Sequence, residues 1–369
     1  MDWTTKLKDN VTTVEELNQV LSLNLTKEET NRMEEIIKAF PMSIPRYYLS
    51  LIDQSNEDDP IKKLCIPSIR ETDLSGSFDT SGESDNTVLP GLQHKYKQTA
   101  LVLFTNQCAM YCRHCFRKRL EGISNEEISK HFSKIIEYIK AHTEISNVLL
   151  SGGDSFLSSN EKIRTYLEEL TRIEHLDLIR FGTRTPVVFP MRIYEDKELL
   201  DILKKYNKKK KIYIVTHFNH PNEITEESKR AINALLDAGL IIRNQTVFLK
   251  GINDHAQTLT TLIRNMTCIG VIPYYVFQCR PVSGVKNQFQ VPIRKAYDII
   301  EETKAQLNGQ EKGFRYVLSN EKGKIEIIGP GPENHMIFKY HQAKYEQDRG
   351  RLFSMDISED ECWISGENC

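Results

Sequence analysis

Residues 106–119 read NQCAMYCRHCFRKR and set Cys108, Cys112 and Cys115 in a Cys-x3-Cys-x2-Cys spacing. Thiolates gathered this closely bind soft metals, and a fourth would complete a structural zinc site or an iron–sulfur cluster. No fourth lies nearby: Cys65, Cys268, Cys279, Cys362 and Cys369 are scattered along the chain. A ligand set one thiolate short leaves a coordination position open for chemistry. The scatter is also unlike a secreted disulfide framework, so the triplet reads as a metal site in a reducing compartment.

A second short motif is Ser151–Gly152–Gly153–Asp154. By itself it is a turn. Beside a metal loop it is also a ligand cradle, because glycines let a backbone approach closely and a carboxylate accepts from an ammonium.

The elements that must carry these motifs alternate. Apolar runs ALVLFT (100–105), NVLLSGG (147–153), LDLIRFG (176–182), KIYIVTH (211–217), LIIRNQTVFL (240–249) and VIPYYVFQ (271–278) read as strands. Between them lie amphipathic segments such as EEISKHFSKIIEYIKAH, DKELLDILKKY and EESKRAINALLDAG, which read as helices. Strand alternating with helix gives parallel βαβ units. Six of them predict a partial (β/α)6 barrel within an α/β fold, although an open doubly wound sheet has the same pattern. The polar segments fall mostly at the strands' C-terminal ends, the face that carries active sites in β/α barrels.

Four regions follow. Residues 1–60 are helical, with TVEELNQVLSL and TKEETNRMEEIIKAF each opening on a Thr cap with Glu near the third position. Residues 61–98 lead into the barrel as a linker, rich in Ser, Gly and acid over 71–87. Residues 99–308 form the barrel. Residues 309–369 form a C-terminal extension with a hairpin around Asn320–Gly323 and a tail without a recognisable motif.

With 49 Lys+Arg against 51 Asp+Glu, no overall charge drives the chain toward nucleic acid or a membrane surface. The run NKKKK (207–211) reads as a solvated helix end favoured by the dipole. The first residues lack the basic-then-apolar order of a secretory signal, and no apolar stretch approaches the roughly 18–20 residues of a membrane helix. A cytoplasmic protein is expected.

Three thiolates can hold three irons of a four-iron, four-sulfur cluster and leave the fourth iron for an external ligand. Cys-x3-Cys-x2-Cys after the first strand of a β/α series resembles the radical S-adenosylmethionine (SAM) superfamily. That resemblance implies a [4Fe-4S] cluster bound by Cys108, Cys112 and Cys115. It also implies SAM chelated to the open iron and cleaved by one electron to a 5′-deoxyadenosyl radical. Ser151–Asp154 matches the superfamily's contact to the SAM amino group.

The segments MSIPRYYLSLID, LPGLQHKY, MYCRHCFRKR, VLLSGGD, RTPVVFPMRI, THFNHPNEITEES and NQTVFLKGIND are similar to the lysine 2,3-aminomutase family over roughly residues 3–329. The resemblance implies pyridoxal phosphate (PLP) as a further cofactor and an isomerase that moves an amino group from Cα to Cβ. It implies His114 near the SAM adenine, Gln245 at the ribose and Arg117 on the substrate α-carboxylate. Lys118 and Arg119 are expected at the surface. The Gly-Lys that ends the family's PLP-lysine segment matches Gly323–Lys324, with Lys322 the alternative. A homo-oligomer and a one-electron donor of flavodoxin or ferredoxin type are also expected.

The chain departs from the lysine-converting pattern in three places. Two arginines of the PLP phosphate site are Lys95 and Thr99 here, while Tyr96 is retained to stack on the ring. Two aspartates around the lysine ammonium align with Arg280 and Ser319. Zinc-binding C-terminal cysteines are not reproduced by Cys362 and Cys369, so that zinc is not expected. An arginine in the substrate pocket repels an ammonium and attracts a carboxylate, which favours glutamate or another acidic or polar-tailed substrate over lysine. Alternatives are a PLP-independent radical SAM enzyme, lysine 2,3-aminomutase proper, and a non-catalytic iron–sulfur protein used for electron transfer or binding.

Overall fold

The computed structural model describes residues 3–120 and 131–368. One sheet runs in chain order: β1 (Thr87–Leu89), β2 (Leu92–Tyr96), β3 (Thr99–Thr105), β4 (Asn147–Gly152), β5 (Leu178–Gly182), β6 (Lys211–Thr216), β7 (Ile241–Phe248), β8 (Ile272–Gln278), β9 (Arg315–Ser319), β10 (Gly323–Pro330), β11 (Met336–Ala343) and β12 (Leu352–Met355). Neighbours from β3 to β9 pair in parallel. The flanking strands pair antiparallel.

Parallel neighbours require a crossover, usually a helix. Phe132–Ala141, Asn160–Leu170, Lys197–Asn207, Glu226–Asp237, Ala256–Cys268 and Ile293–Ala305 supply one for each successive pair. The result is the expected partial β/α barrel, with its six strands at β3–β8. The expected helix over 126–142 is described from Phe132 onward; 126–130 lie outside the described residues. The hairpin around Asn320–Gly323 is present as β9–β10, and β9 also pairs in parallel with β8. It therefore adds a seventh parallel strand to the wall. The tail continues the sheet as β11 and β12. Among the described residues no helix is long and apolar enough to cross a membrane.

Both threonine caps form as full capping boxes. Thr13 and Thr26 accept from the backbone N–H of Glu16 and Glu29, whose carboxylates return the bond. The N-terminal region lies on the cysteine loop of its own chain. Asn10 Nδ2 donates to the Ala109 carbonyl (2.7 Å), Tyr111 N–H to Ser43 O (3.1 Å) and Arg113 N–H to Leu64 O (3.0 Å).

The acid-rich segment 71–87 was expected to be a loop; in the structure its Glu71 and Glu83 are buried. Glu71 accepts from Arg113 Nε (2.9 Å) and Lys118 Nζ (2.7 Å). Glu83 takes Arg117 Nε and Nη2 (both 2.8 Å) and Arg119 Nη2 (2.9 Å). Lys118, expected at the surface, is completely buried, and Arg119 is only 21% exposed at its side chain. A charge is stable inside a protein only when paired and hydrogen-bonded. The four cations of the cysteine loop meet that condition through two glutamates that precede it by tens of residues.

Candidate active site

Strand alternation points every second side chain into the barrel. Thr99 and Leu101 of β3, Leu149 and Ser151 of β4, and Arg180 and Gly182 of β5 line a cavity of about 370 Å³. Cys108, Cys112, Cys115, His114, Arg117 and Gln245 line it as well, together with the Ser151–Asp154 turn. So do Lys95, Tyr96, Arg280, Ser319 and Lys324. Every site residue proposed from sequence thus borders one cavity, apart from the alternative Lys322, which is absent from its wall.

At the strands' C-terminal ends the wall is densely wired. Gly153 N–H donates to Thr105 O (2.5 Å) and Asp154 N–H to Gln107 O (2.8 Å), tying the turn to the start of the cysteine loop. A Cβ on Gly153 would stand 2.4 Å from Gln107 O, so the glycine is required by this contact within the chain. Asp154 accepts from Thr183 Oγ1 (2.5 Å), Arg184 N–H (2.8 Å) and Phe156 N–H (3.1 Å), so most of its acceptor capacity is already used. Burial nevertheless raises its pKa above the ordinary value.

Arg184 joins this network, and sequence reading did not single it out. It donates to Cys112 Sγ (2.7 Å), His217 O (3.1 Å) and Glu223 Oε1 (2.5 Å). Burial opposes its charge, but the Cys112 sulfur and Glu223 outweigh burial and hold its pKa well above the usual range. Glu223 is fully buried and also accepts from Tyr48 Oη (2.6 Å) and the N–H groups of Asn219 (2.5 Å) and His220 (3.0 Å). Asn219 Oδ1 accepts from Val247 N–H (2.9 Å), which leaves its Nδ2 to donate to His114 Nε2 (3.4 Å). The neutral His114 ring then carries its proton on Nδ1, a buried donor without a partner among the described residues. Burial, with the Arg184 charge, keeps His114 neutral by depressing its pKa well below normal.

The part of the wall around Lys324 and Arg280 is cationic and sparsely paired. Lys324 Nζ donates to Gln342 Oε1 (3.1 Å) and lies 4.3 Å from the centre of the Tyr275 ring. Its side chain is open to the cavity but poorly hydrated; burial first, then Arg180, Arg280 and Lys95, push its pKa down to about 7. Lys95 is likewise pushed down to about 7 by burial and by Arg280, and donates to the carbonyls of Ser81 (3.2 Å) and Asn320. Burial raises the Tyr96 phenol to about 12, with the Ser319 hydroxyl pulling the other way.

Arg280 extends from the end of β8. Its base is fixed by Tyr316 Oη to Gln278 (2.6 Å) and Gln290 Nε2 to Cys279 O (2.8 Å). The guanidinium stacks 4.5 Å over Phe116 and makes a long 3.5 Å contact to Thr80 Oγ1. Among the described residues no carboxylate pairs with it. Burial lowers its pKa to about 10, with Glu83 opposing and Arg117 adding. Arg180 donates from Nη2 to Asn147 Oδ1 (2.6 Å), and its buried Nε has no partner among the described residues. Arg117 has committed Nε and Nη2 to Glu83.

Comparison with known proteins decides the family. Residues 102–262 match the model of the Radical SAM superfamily. An L-lysine 2,3-aminomutase from Clostridium subterminale is 40% identical over 84% of this chain and 73% of its own length. The chain belongs to the lysine 2,3-aminomutase family of radical SAM proteins. A glutamate 2,3-aminomutase from Clostridioides difficile is 37% identical over 87% of this chain and 75% of its own. Among solved structures, a radical SAM methyltransferase from Sphaerobacter thermophilus aligns over 61% of this chain and 68% of its own, with 15% identity and a TM-score of 0.39.

Membership of this radical SAM aminomutase family implies an enzyme with a [4Fe-4S] cluster and SAM, and the residues fit both groups. Three thiols on one loop face the cavity, and a guanidinium already donates to one sulfur. The orphaned Nδ1–H of His114 is a buried donor suited to an acceptor on a bound ligand. Asn219, Arg184 and Glu223 are the functional positions that sequence reading passed over. They sit in segments quoted only as likenesses, and no local pattern separates a buried glutamate from a solvated one.

Proposed function

We propose that this enzyme is a 2,3-aminomutase that shifts the amino group of an α-amino acid with an anionic side chain, glutamate being favoured. One observation carries the substrate choice: the Arg280 guanidinium borders the cavity, and no carboxylate of the described residues pairs with it. An ammonium brought beside it meets like charge in a poorly solvated space, at a cost of a few kcal/mol at intermediate dielectric. A carboxylate there gains a charge-assisted pair. Lysine and glutamate enzymes both occur among the relatives, at 40% and 37% identity, so overall similarity does not choose between them.

When bound, the cluster and SAM supply a 5′-deoxyadenosyl radical, and PLP supplies a conjugated ring able to delocalise an unpaired electron. The chain's own residues do the rest. Cys108, Cys112 and Cys115 hold the cluster, and Arg184 steadies Cys112 through its sulfur. His114 and Gln245 face the nucleoside, and Ser151–Asp154 borders the SAM amino group. Lys324 is the amine for the PLP aldehyde: with its pKa near 7, a large share is neutral at physiological pH, as a nucleophile must be. Tyr96 offers a ring face beside it. Arg117 takes the α-carboxylate with the Nη1 group it has not given to Glu83, while Arg280 and Ser319 take the side chain. The cavity wall excludes solvent from a radical that would abstract hydrogen from any donor. A cytoplasmic homo-oligomer supplied by a flavodoxin- or ferredoxin-type donor completes the proposal.

The test is substrate conversion by the anaerobically reconstituted protein with SAM, PLP and dithionite. Glutamate, arginine and lysine are offered separately and the products resolved by chiral chromatography. β-Glutamate is expected; efficient β-lysine formation overturns the Arg280 argument.

A further inference from the structure

Arg180 has no role in the reading above, although it borders the cavity with a buried Nε that has no partner among the described residues. A charged residue inside an apolar strand is costly to bury. Register shows where it stands: Leu101, Leu149 and Arg180 share one layer across β3, β4 and β5, and Thr99 and Asn147 share the layer below. The Arg180 side chain bends to that lower layer, since Nη2 donates to Asn147 Oδ1 (2.6 Å), while Asn147 Nδ2 donates to Thr99 Oγ1 (3.1 Å). The guanidinium thus reaches the floor of the cavity beside the Thr99 hydroxyl. Arg180 and Lys324 both line this cavity.

Resting on the reading that Lys324 carries the PLP aldehyde, we propose that Arg180 is a phosphate-anchoring residue of this site. A pyridoxal ring held at Lys324 needs its phosphate on donors at the cavity floor. Lys95 has committed donors to two backbone carbonyls and Thr99 offers a single hydroxyl. Arg180 adds a permanent cation from a different strand, with an Nε–H that has no partner among the described residues. A guanidinium is well shaped for phosphate oxygens. It also gives the Asn147 bridge a purpose, because the amide holds one edge of the guanidinium and leaves the remainder for the anion.

The experiment titrates cluster-loaded, anaerobic protein with PLP and, separately, with phosphate-free pyridoxal, following the visible band. Wild type, Arg180→Gln, Arg180→Lys and Lys324→Ala are compared. Arg180→Gln is expected to weaken PLP by about tenfold or more while pyridoxal binding is unchanged, with partial recovery in Arg180→Lys. Equal affinities of wild type and Arg180→Gln for PLP overturn the proposal, as does an equal loss for both aldehydes, which would mark Arg180 as structural. A wild type with no Lys324-dependent band refutes the underlying PLP reading and this proposal with it.

Discussion

The cysteine loop and the cavity wall around Lys324 and Arg280 both concentrate positive charge, yet they treat it differently. Arg113, Lys118, Arg117 and Arg119 of the loop share Glu71 and Glu83. Among the described residues Arg280, Arg180 and Lys324 have no such carboxylate, and Lys324 meets an amide oxygen and the Tyr275 ring. Paired charges of this kind fasten the cysteine loop to the segment before it. Unpaired ones cost folding energy, and a fold retains them where a ligand brings the missing anion. Compensation therefore separates charges held by the protein itself from those left for a ligand, with Arg117 between the two because Glu83 takes only its Nε and Nη2.

Breaking a compensated pair has the largest expected effect. Glu71→Gln leaves Arg113 and Lys118 buried without a counterion and should lower unfolding stability by about 3–5 kcal/mol, measured by denaturant unfolding, with iron retention falling alongside. Burial pushes the Glu71 pKa up, but Arg113 and Lys118 outweigh it and the net shift is downward. Its contribution is therefore full above the ordinary carboxylate range and lost as pH falls through the lowered value. Wild-type stability in Glu71→Gln would remove the distinction between the two regions.

Reversing an uncompensated charge should act on substrate and leave the fold alone. Arg280→Asp is expected to cut kcat/KM for glutamate by roughly 30- to 3,000-fold, about 2–5 kcal/mol, with melting temperature unchanged or raised. A loss of stability comparable to that of Glu71→Gln would show that Arg280 has a partner inside the protein.

The mildest probe is pH. A Lys324 amine with a pKa of about 7 is mostly protonated below that value and mostly free above it. The visible band formed with PLP should therefore strengthen between about pH 6 and 8 and level off, instead of rising toward the ordinary lysine range near 10.5. Titration near 10 would place Lys324 in contact with bulk water.

Much of the site was legible before any coordinates. The cysteine spacing, the SGGD turn, the six barrel strands and both threonine caps depend on residues within a few positions of one another, and short-range stereochemistry governs them. The three departures from the lysine-converting pattern needed only aligned residues. Arg180 left one trace, a charge at an inward position of the apolar run LDLIRFG. Glu71 and Glu83 left none, because an acidic Ser/Gly-rich stretch looks solvated unless its distant partners are known.

Sequence alone thus determined which groups the chain brings to its site: three cysteines spaced for a soft metal, an amine, and an arginine. Tertiary structure decided which charges cancel. It brought Glu71 and Glu83 onto the cysteine loop, Arg184 onto Cys112, and β9 alongside β8. Those contacts join residues far apart in the chain, and their energies depend on burial and distance, quantities that exist only once the sheet has closed around them.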